Sequence, residues 1–158
     1  ITQKVTELGA CQIWAFPADW SVAKWDGKKL GKKVEKLEKI ALGAAEQSKR
    51  NLVPSITLFE KKADFLAQFD QFDRIVVAYE ESAKEGESAA LIQAVAGLEK
   101  GAKLLFIFGP EGGLSPAEIE SFEAKGAVLA GLGPRILRAE TAPLYALSAI
   151  SVLLELEK

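Results

Sequence analysis

Three charged side chains in the last third of the sequence have the chemistry to act on a bound substrate. Glu111 and Glu140 are carboxylates that can accept a proton, and Arg138 offers a guanidinium that can bind a phosphate or stabilise an anion. The structural alternative is a salt bridge that locks the loop holding them. The 158 residues include no histidine and one cysteine, Cys11, which argues against a zinc site, an internal disulfide and histidine-based catalysis.

These side chains lie in two glycine-broken loops, each of which follows an apolar run and precedes a helix pattern. The first loop is Gly109-Pro110-Glu111-Gly112-Gly113-Leu114, between an apolar run at 104–108 and a capping box at residues 115–118. The second loop, 131–141, follows a shorter run at 128–130. Because the glycines of the first loop have no Cβ, its backbone can approach a ligand closely. Its spacing matches neither a Walker nor a dinucleotide-binding fingerprint.

The surrounding pattern alternates strands with helices, which predicts an α/β domain with a parallel sheet of about five strands flanked by helices. The uniform apolar run at 104–108 is typical of a central strand. Ligands bind beyond the carboxyl ends of such strands, so both loops and the segment 79–82 are expected to form one pocket. For each loop alone, a plain strand-to-helix turn is the alternative. The expected strands are 11–16, 55–59, 74–79, 104–108 and 128–130, and the expected helices are 1–8, 29–50, 62–69, 88–100, 115–125 and 143–156.

The composition is that of an ordinary soluble domain, with 49% hydrophobic and 27% charged residues. No apolar run approaches the roughly 20 residues needed to cross a bilayer, so a cytoplasmic protein is expected. The net charge of −2 is a poor match to a protein that binds RNA alone, because Lys and Arg contacts with phosphates supply that affinity. The lysine- and glutamate-rich side of the 29–50 helix is expected to face solvent.

Four segments together resemble one enzyme family: FGPEGGLSPAEIE, LGPRILRAETAPLYAL, QKVTELG and EQSKRNLVP. They resemble the RsmE-type methyltransferases of uridine N3 in small-subunit (16S) ribosomal RNA, which belong to the SPOUT class of S-adenosylmethionine enzymes. The resemblance implies a deep trefoil knot at the C-terminus, a homodimer, S-adenosyl-L-methionine as cofactor, ribosomal RNA or the small ribosomal subunit as partner, and no metal. It also implies a PUA-like RNA-binding domain before the methyltransferase domain. No such segment is present, so we expect residues 1–158 to be the methyltransferase domain alone, with poor RNA affinity and turnover.

The resemblance also assigns residues to the site. Arg138, Glu140 and Glu111 are the expected catalytic residues. Trp20 stands where the family usually has an arginine, and an aromatic side chain there can stack on a base or, as the alternative, pack over the loop at the surface. The expected cofactor-binding residues are Tyr79, Glu80, Gly109, Pro110, Glu111, Gly112, Gly113, Leu132, Gly133, Ile136, Leu137, Arg138, Thr141 and Ala142, and the expected RNA-binding residues are Glu7, Gln47, Arg50 and Arg135.

Several of these assignments have competing interpretations. Glu7 can belong to a solvated helix face, and Arg50 can cap the carbonyls at the C-terminus of its own helix. The pocket can bind a phosphorylated ligand at a helix N-terminus, although the Glu111 carboxylate disfavours that. The chain can also methylate another RNA, or be a catalytically silent module for RNA binding or ribosome assembly. The last helix has an apolar face that is expected to form a dimer or to cover the sheet: Leu144, Leu147, Ile150, Leu153 and Leu154.

Overall fold

The computed structural model describes residues 1–21, 26–80 and 90–156. Its helices are α1 (Thr2–Glu7), α2 (Gly27–Gln47), α3 (Lys62–Leu66), α4 (Ala90–Val95), α5 (Pro116–Ala124) and α6 (Ala142–Ser151), with a 3₁₀ turn at Phe69–Gln71 and a π-helical turn at Val152–Leu156. Its strands are β1 (Gln12–Ala15), β2 (Ser55–Leu58), β3 (Arg74–Ala78), β4 (Leu104–Ile107) and β5 (Val128–Ala130). Each strand lies inside a segment that the sequence predicts to be one.

In the described part of the chain the strands form two parallel sheets instead of the single sheet expected. β1 pairs with β2, and β3 lies between β4 and β5. The prediction that the run at 104–108 is the central strand is therefore wrong, because β3 has a partner on each side. The apolar run of β4 has another reason: Leu105 packs on one face of the sheet, and Leu104 and Phe106 pack on the other. Both faces of β4 are covered although it pairs on one side.

Two apolar clusters cover the two faces of the three-stranded sheet. In the first cluster, the ring of Phe65 from α3 stacks on Phe16 at 4.3 Å and meets Phe69 edge-on at 5.0 Å. In the second, Val76 of β3 packs with α4, and Ile150 of α6 packs against the same group. Part of the apolar face of the last helix therefore covers the sheet, as one of the two sequence interpretations expected.

Some predicted helices end earlier in the structure. The segment 62–69 leaves the α-helix after Leu66, and the helix predicted to reach residue 100 ends at Val95. Gly97 takes a φ of +77°, a left-handed conformation that ends a helix, and this explains the early end of α4. The following predicted features fall outside the described residues: Val22 of the Trp20 loop, Glu81 and Ser82 of the third pocket wall, the linker at 84–88, and the first two residues of the helix predicted at 88–100.

The longest helix, α2, is amphipathic, as its sequence predicts. Ala41, Ala44 and Ala45 are buried, while its lysines and glutamates face solvent. Its N-terminus is capped by Asp26, whose carboxylate accepts a hydrogen bond of 3.0 Å from the backbone N–H of Lys28. Within the described ranges, every helix is too short or too polar to cross a membrane.

Candidate active site

Three loops start side by side at one edge of the three-stranded sheet. The register aligns Val77 with Ile107 and Ala78 with Ala130, so β3, β4 and β5 end at the same level. The Tyr79 N–H then donates a hydrogen bond of 3.0 Å to the carbonyl of Ala130, so the first residue after β3 stays next to the end of β5. The structure therefore brings together the loop ends at 79–80, 109–114 and 131–141, as expected for parallel strands.

The glycines of the first loop serve different purposes. The Gly113 N–H donates to the Pro110 carbonyl at 2.8 Å, closing a turn in which Gly113 takes a φ of +83°. A Cβ at Gly109 would lie 3.0 Å from Leu114 Cγ, and one at Gly112 would lie 3.1 Å from the Trp20 carbonyl oxygen. At Gly109 and Gly112 the missing Cβ therefore makes room for neighbouring atoms of the protein itself. At Gly113 a Cβ would meet nothing within 4 Å, so its backbone is open on that side.

The second loop is held at its far end by the start of α6. The Arg138 carbonyl accepts hydrogen bonds from the N–H groups of Thr141 at 2.9 Å and Ala142 at 3.0 Å. Gly133 takes a φ of +91°, and a Cβ there would lie 3.4 Å from the Tyr145 hydroxyl. Leu132 packs into the second apolar cluster, whereas Ile136 is 80% exposed. This loop therefore presents its middle residues to solvent between two fixed ends.

The three expected catalytic side chains are all exposed. Glu111 lies on the first loop, and Arg138 and Glu140 lie on the second. Among the described residues no ion pair joins Arg138 to either carboxylate, so the alternative of a salt bridge that locks the loop is wrong for this part of the chain. Their side chains are available to a substrate at this edge of the sheet.

An ionic cluster built around the buried Glu118, beside the first loop, was not predicted from the sequence. The side chain of Glu118 is 1% exposed and lies 2.8 Å from Lys62 Nζ, which also donates to the carboxylate of Asp19. Ser115 Oγ donates to Asp19 Oδ2 at 2.6 Å, and the Asp19 N–H donates to Glu118 Oε2 at 3.1 Å. The predicted capping box is confirmed: Ser115 N–H donates to Glu118 Oε1 at 2.9 Å, and Glu118 N–H donates to Ser115 Oγ at 3.2 Å.

The cluster shifts the pKa of two of its members in the directions expected of an ion pair. Hydrogen bonds from Lys62 and then Ser115 lower the pKa of Asp19 below its usual 3.8. Burial by itself lowers the pKa of Lys62, but hydrogen bonds to Asp19 and Glu118 outweigh burial and raise it above 10.5. Asp19 and Lys62 are therefore charged at neutral pH.

The ionic cluster fixes the turn that carries Trp20 against the first loop. Asp19 is the residue before Trp20, and Trp20 is the residue that a Cβ at Gly112 would strike. The α5 N-terminus, the Trp20 turn and α3 are thus joined at one point beside Gly112. A sequence signal existed for Glu118 through the capping box. None existed for Lys62, which is 43 positions from Asp19.

The expected RNA-binding residues separate into two places. Glu7 and Gln47 are exposed and line one groove between α1 and α2, whereas Arg135 is exposed on the second loop. Arg50 is half-buried, and its guanidinium donates to the carbonyls of Ala10 at 2.8 Å and Thr6 at 3.0 Å. It therefore caps the end of α1, and the alternative that it caps its own helix is wrong.

Residues 1–151 match the family model described as an RNA methyltransferase domain. The chain belongs to the RNA methyltransferase domain family. This domain is 54% identical over 156 residues to the ribosomal RNA small subunit methyltransferase E of Bacillus subtilis, with 99% of this chain and 61% of that protein covered. The protein of that name from Mesomycoplasma hyopneumoniae is 35% identical over 146 residues, which cover 92% of this chain and 60% of that protein.

A solved structure supports the same relationship. The crystal structure of a ribosomal RNA small subunit methyltransferase E from Neisseria gonorrhoeae bound to S-adenosyl methionine is similar with a TM-score of 0.75 and 26% sequence identity, covering 97% of this chain and 60% of that one. The resemblance predicted from the sequence is confirmed. This RNA methyltransferase domain spans about three fifths of the length of the curated relatives it matches.

Proposed function

We propose that this domain transfers a methyl group from S-adenosyl-L-methionine to N3 of a uridine in small-subunit ribosomal RNA. The observation that carries the proposal is the meeting of three loops at one edge of the β3–β4–β5 sheet, with Glu111, Arg138 and Glu140 exposed around it. The names of the similar proteins support the RNA substrate, and the cofactor in the Neisseria gonorrhoeae structure supports the methyl donor.

The loop residues fit the proposed cofactor. Gly113 is held in a left-handed conformation with open space where a side chain would be, so a ligand can approach its backbone. Gly133 takes the same kind of conformation on the neighbouring loop. Main-chain groups at 109–113 and 132–137 would hold most of the cofactor, with Tyr79 and Glu80 on the third side.

The reaction requires a proton to leave the uridine. S-adenosylmethionine supplies an activated methyl group on a sulfonium. Uridine N3 is a poor nucleophile while protonated, so Glu140 or Glu111 would accept that proton, and Arg138 would stabilise the uracil anion or orient a nearby phosphate. The fixed first loop would hold donor and acceptor in line, which makes the transfer effectively intramolecular.

The proposal includes the wider features of the SPOUT class: a C-terminal trefoil knot, a homodimer and a cytoplasmic location, with a PUA-like domain in the whole protein. The apolar residues that follow the last helix support the dimer. Ile150 and Leu153 of the predicted apolar face pack on the sheet, whereas Val152 and Leu156, which lie outside that face in the π-helical turn, are 50% and 74% exposed. These two exposed side chains would be covered by a second copy.

Isothermal titration calorimetry with S-adenosylmethionine tests the proposed function. We expect Gly113→Ala to weaken binding by about tenfold or more, because the alanine strains the turn and fills the open side of its backbone. Gly97→Ala is the matched control: Gly97 has a φ of +77° and open space around it, but it lies in the turn after α4. It should lose similar stability and keep its cofactor affinity.

Two outcomes would contradict the proposal. One is a wild-type domain that binds a nucleoside triphosphate and not S-adenosylmethionine, which would favour the phosphorylated-ligand enzyme. The other is cofactor binding without methyl transfer from a tritiated donor to small ribosomal subunits by the whole protein, which would favour the silent RNA-binding module.

A further inference from the structure

The first half of α2 carries a concentrated positive charge. Residues 28–39 contain six lysines and two glutamates, a local charge of +4 in a chain whose net charge is −2. At roughly 100° per residue, five of these lysines fall within an arc of about 100° of the helix circumference, and together they are called the basic face. The basic face consists of Lys28, Lys29, Lys32, Lys36 and Lys39, and all five are exposed.

The basic face is not neutralised by the protein around it. None of the ion pairs seen between described residues involves a basic-face lysine. Of the two glutamates in this segment, Glu35 lies about 20° outside the arc, beside Lys28, and Glu38 lies about 80° outside it. Glu35 and Glu60, which lies beside Gly27, reduce the positive potential near Lys28, but the five lysines outnumber these two carboxylates and the face stays positive.

The basic face is also unfavourable for the helix that carries it. Positive charge in the first turns of a helix opposes the helix dipole, and Lys28, Lys32 and Lys36 are like charges spaced four residues apart. The helix would be more stable with neutral or acidic residues there. Binding of an anionic partner would explain why the helix keeps this arrangement.

The basic face begins near the candidate active site. A Cβ at Gly27, the first residue of α2, would lie 2.7 Å from Glu60 Oε1. Lys62, two residues beyond Glu60, belongs to the ionic cluster that holds the Trp20 turn against Gly112 of the first loop. From Lys28 to Lys39 the face then extends about 16 Å along α2, at 1.5 Å per residue.

We propose that the basic face of α2 binds the phosphate backbone of the RNA substrate, next to the nucleotide presented to the three loops. The proposal rests on the proposed function for the identity of the partner. Lysine ammonium groups on flexible stems suit a backbone that runs past them, because each can follow one phosphate without fixed geometry. The face would supply affinity and orientation, and it would carry no sequence specificity.

The test is the triple variant Lys28→Gln/Lys32→Gln/Lys36→Gln with an RNA oligonucleotide of small-subunit ribosomal sequence, titrated at several salt concentrations. We expect affinity at low salt to fall about tenfold or more. The slope of log affinity against log salt concentration should become shallower by about 2. Each of the three lost phosphate contacts lowers the magnitude of that slope by about 0.7. Thermal stability should be unchanged or higher, because the like charges are gone.

The matched control is Lys100→Gln/Lys103→Gln/Lys125→Gln. These three lysines are exposed and lie just before β4 and β5, at the opposite edge of the sheet from the loops. The control has the same change in net charge, and its RNA affinity should stay within about twofold of wild type. Equal losses in the two variants would show a non-specific effect of net charge and overturn the proposal.

Three other outcomes would also contradict the proposal or reassign the basic face. The proposal is overturned if the wild-type domain shows no detectable RNA binding, or if the basic-face variant binds RNA as tightly as the wild type. Polyglutamate that binds the wild-type domain as tightly as RNA of equal charge would reassign the basic face to acidic proteins. S-adenosylmethionine affinity is measured on the same samples and should be unchanged in both variants. If the wild-type domain does not bind S-adenosylmethionine, the proposed function is overturned, whereas the comparison of RNA affinities remains valid.

Discussion

Replacing Lys62 by methionine should destabilise the domain and weaken its cofactor site together. The change keeps an unbranched side chain that is one atom shorter, and it removes the charge. It leaves the carboxylate of Glu118, which is 1% exposed, beside that of Asp19 with no cation between them. Two hydrogen bonds to Glu118 from the N–H groups of Ser115 and Asp19 remain, at 2.9 and 3.1 Å.

The magnitude follows from how deeply each partner is buried. Removing one partner of a fully buried ion pair costs about 3–5 kcal/mol, because the other charge stays buried and unpaired. Here the side chains of Lys62 and Asp19 are 23% and 44% exposed, so water screens part of the interaction. We therefore expect the free energy of unfolding to fall by about 2 kcal/mol, or roughly 4–8 °C in melting temperature for a domain of this size.

Urea denaturation and cofactor calorimetry on the same samples measure both effects. Lys61→Met is the control, since Lys61 is an exposed neighbour whose side chain makes no capping hydrogen bond to α3. The double variant Lys62→Met/Glu118→Gln removes the unpaired charge and should recover part of the loss, with a coupling energy above about 1 kcal/mol. If Lys62→Met and Lys61→Met unfold at the same urea concentration, the ionic cluster does not stabilise the Trp20 turn.

Three further results are expected. The stability difference between wild type and Asp19→Asn should be constant near neutral pH and shrink as the pH falls below about 3.8, because a lowered pKa stabilises the fold only while the carboxylate is ionised. Arg138→Ala should lower methyl transfer by the whole protein far more than cofactor affinity, and equal activity would remove Arg138 from the chemistry. Sedimentation at micromolar concentration should show a dimer, and a monomer would contradict the proposed interface.

Strand positions could be predicted from the sequence because strand signals here are local. β5 occupies the predicted residues 128–130, and β2 the predicted start at Ser55, since apolar runs are bounded there by proline and glycine. Pairing between strands is not local. The order that puts β3 between β4 and β5 depends on which faces are covered by α4 and by the aromatic cluster, and no short segment encodes that.

The loops of the candidate site were also predictable, but the reason for their glycines was not. A glycine shows that a backbone needs freedom or space, and the sequence does not say whether a ligand or the protein requires it. Gly112 is needed because the Trp20 carbonyl approaches it, and Gly109 because Leu114 does. Only Gly113 combines a left-handed φ with open space in the first loop.

The lysines of this domain divide into two kinds by their partners, which bears on how an acidic chain can bind RNA. Lys62 lies between two carboxylates and has a raised pKa, so its charge is used inside the fold and adds little potential outside it. The basic-face lysines of α2 have no such partners in the described residues. Net charge counts both kinds equally, and therefore the value of −2 understates the attraction for phosphate at one side of the molecule. The segment of Glu60 and Lys62 contacts the start of the basic face and also the Trp20 turn, so one short stretch would connect the RNA contact to the first loop.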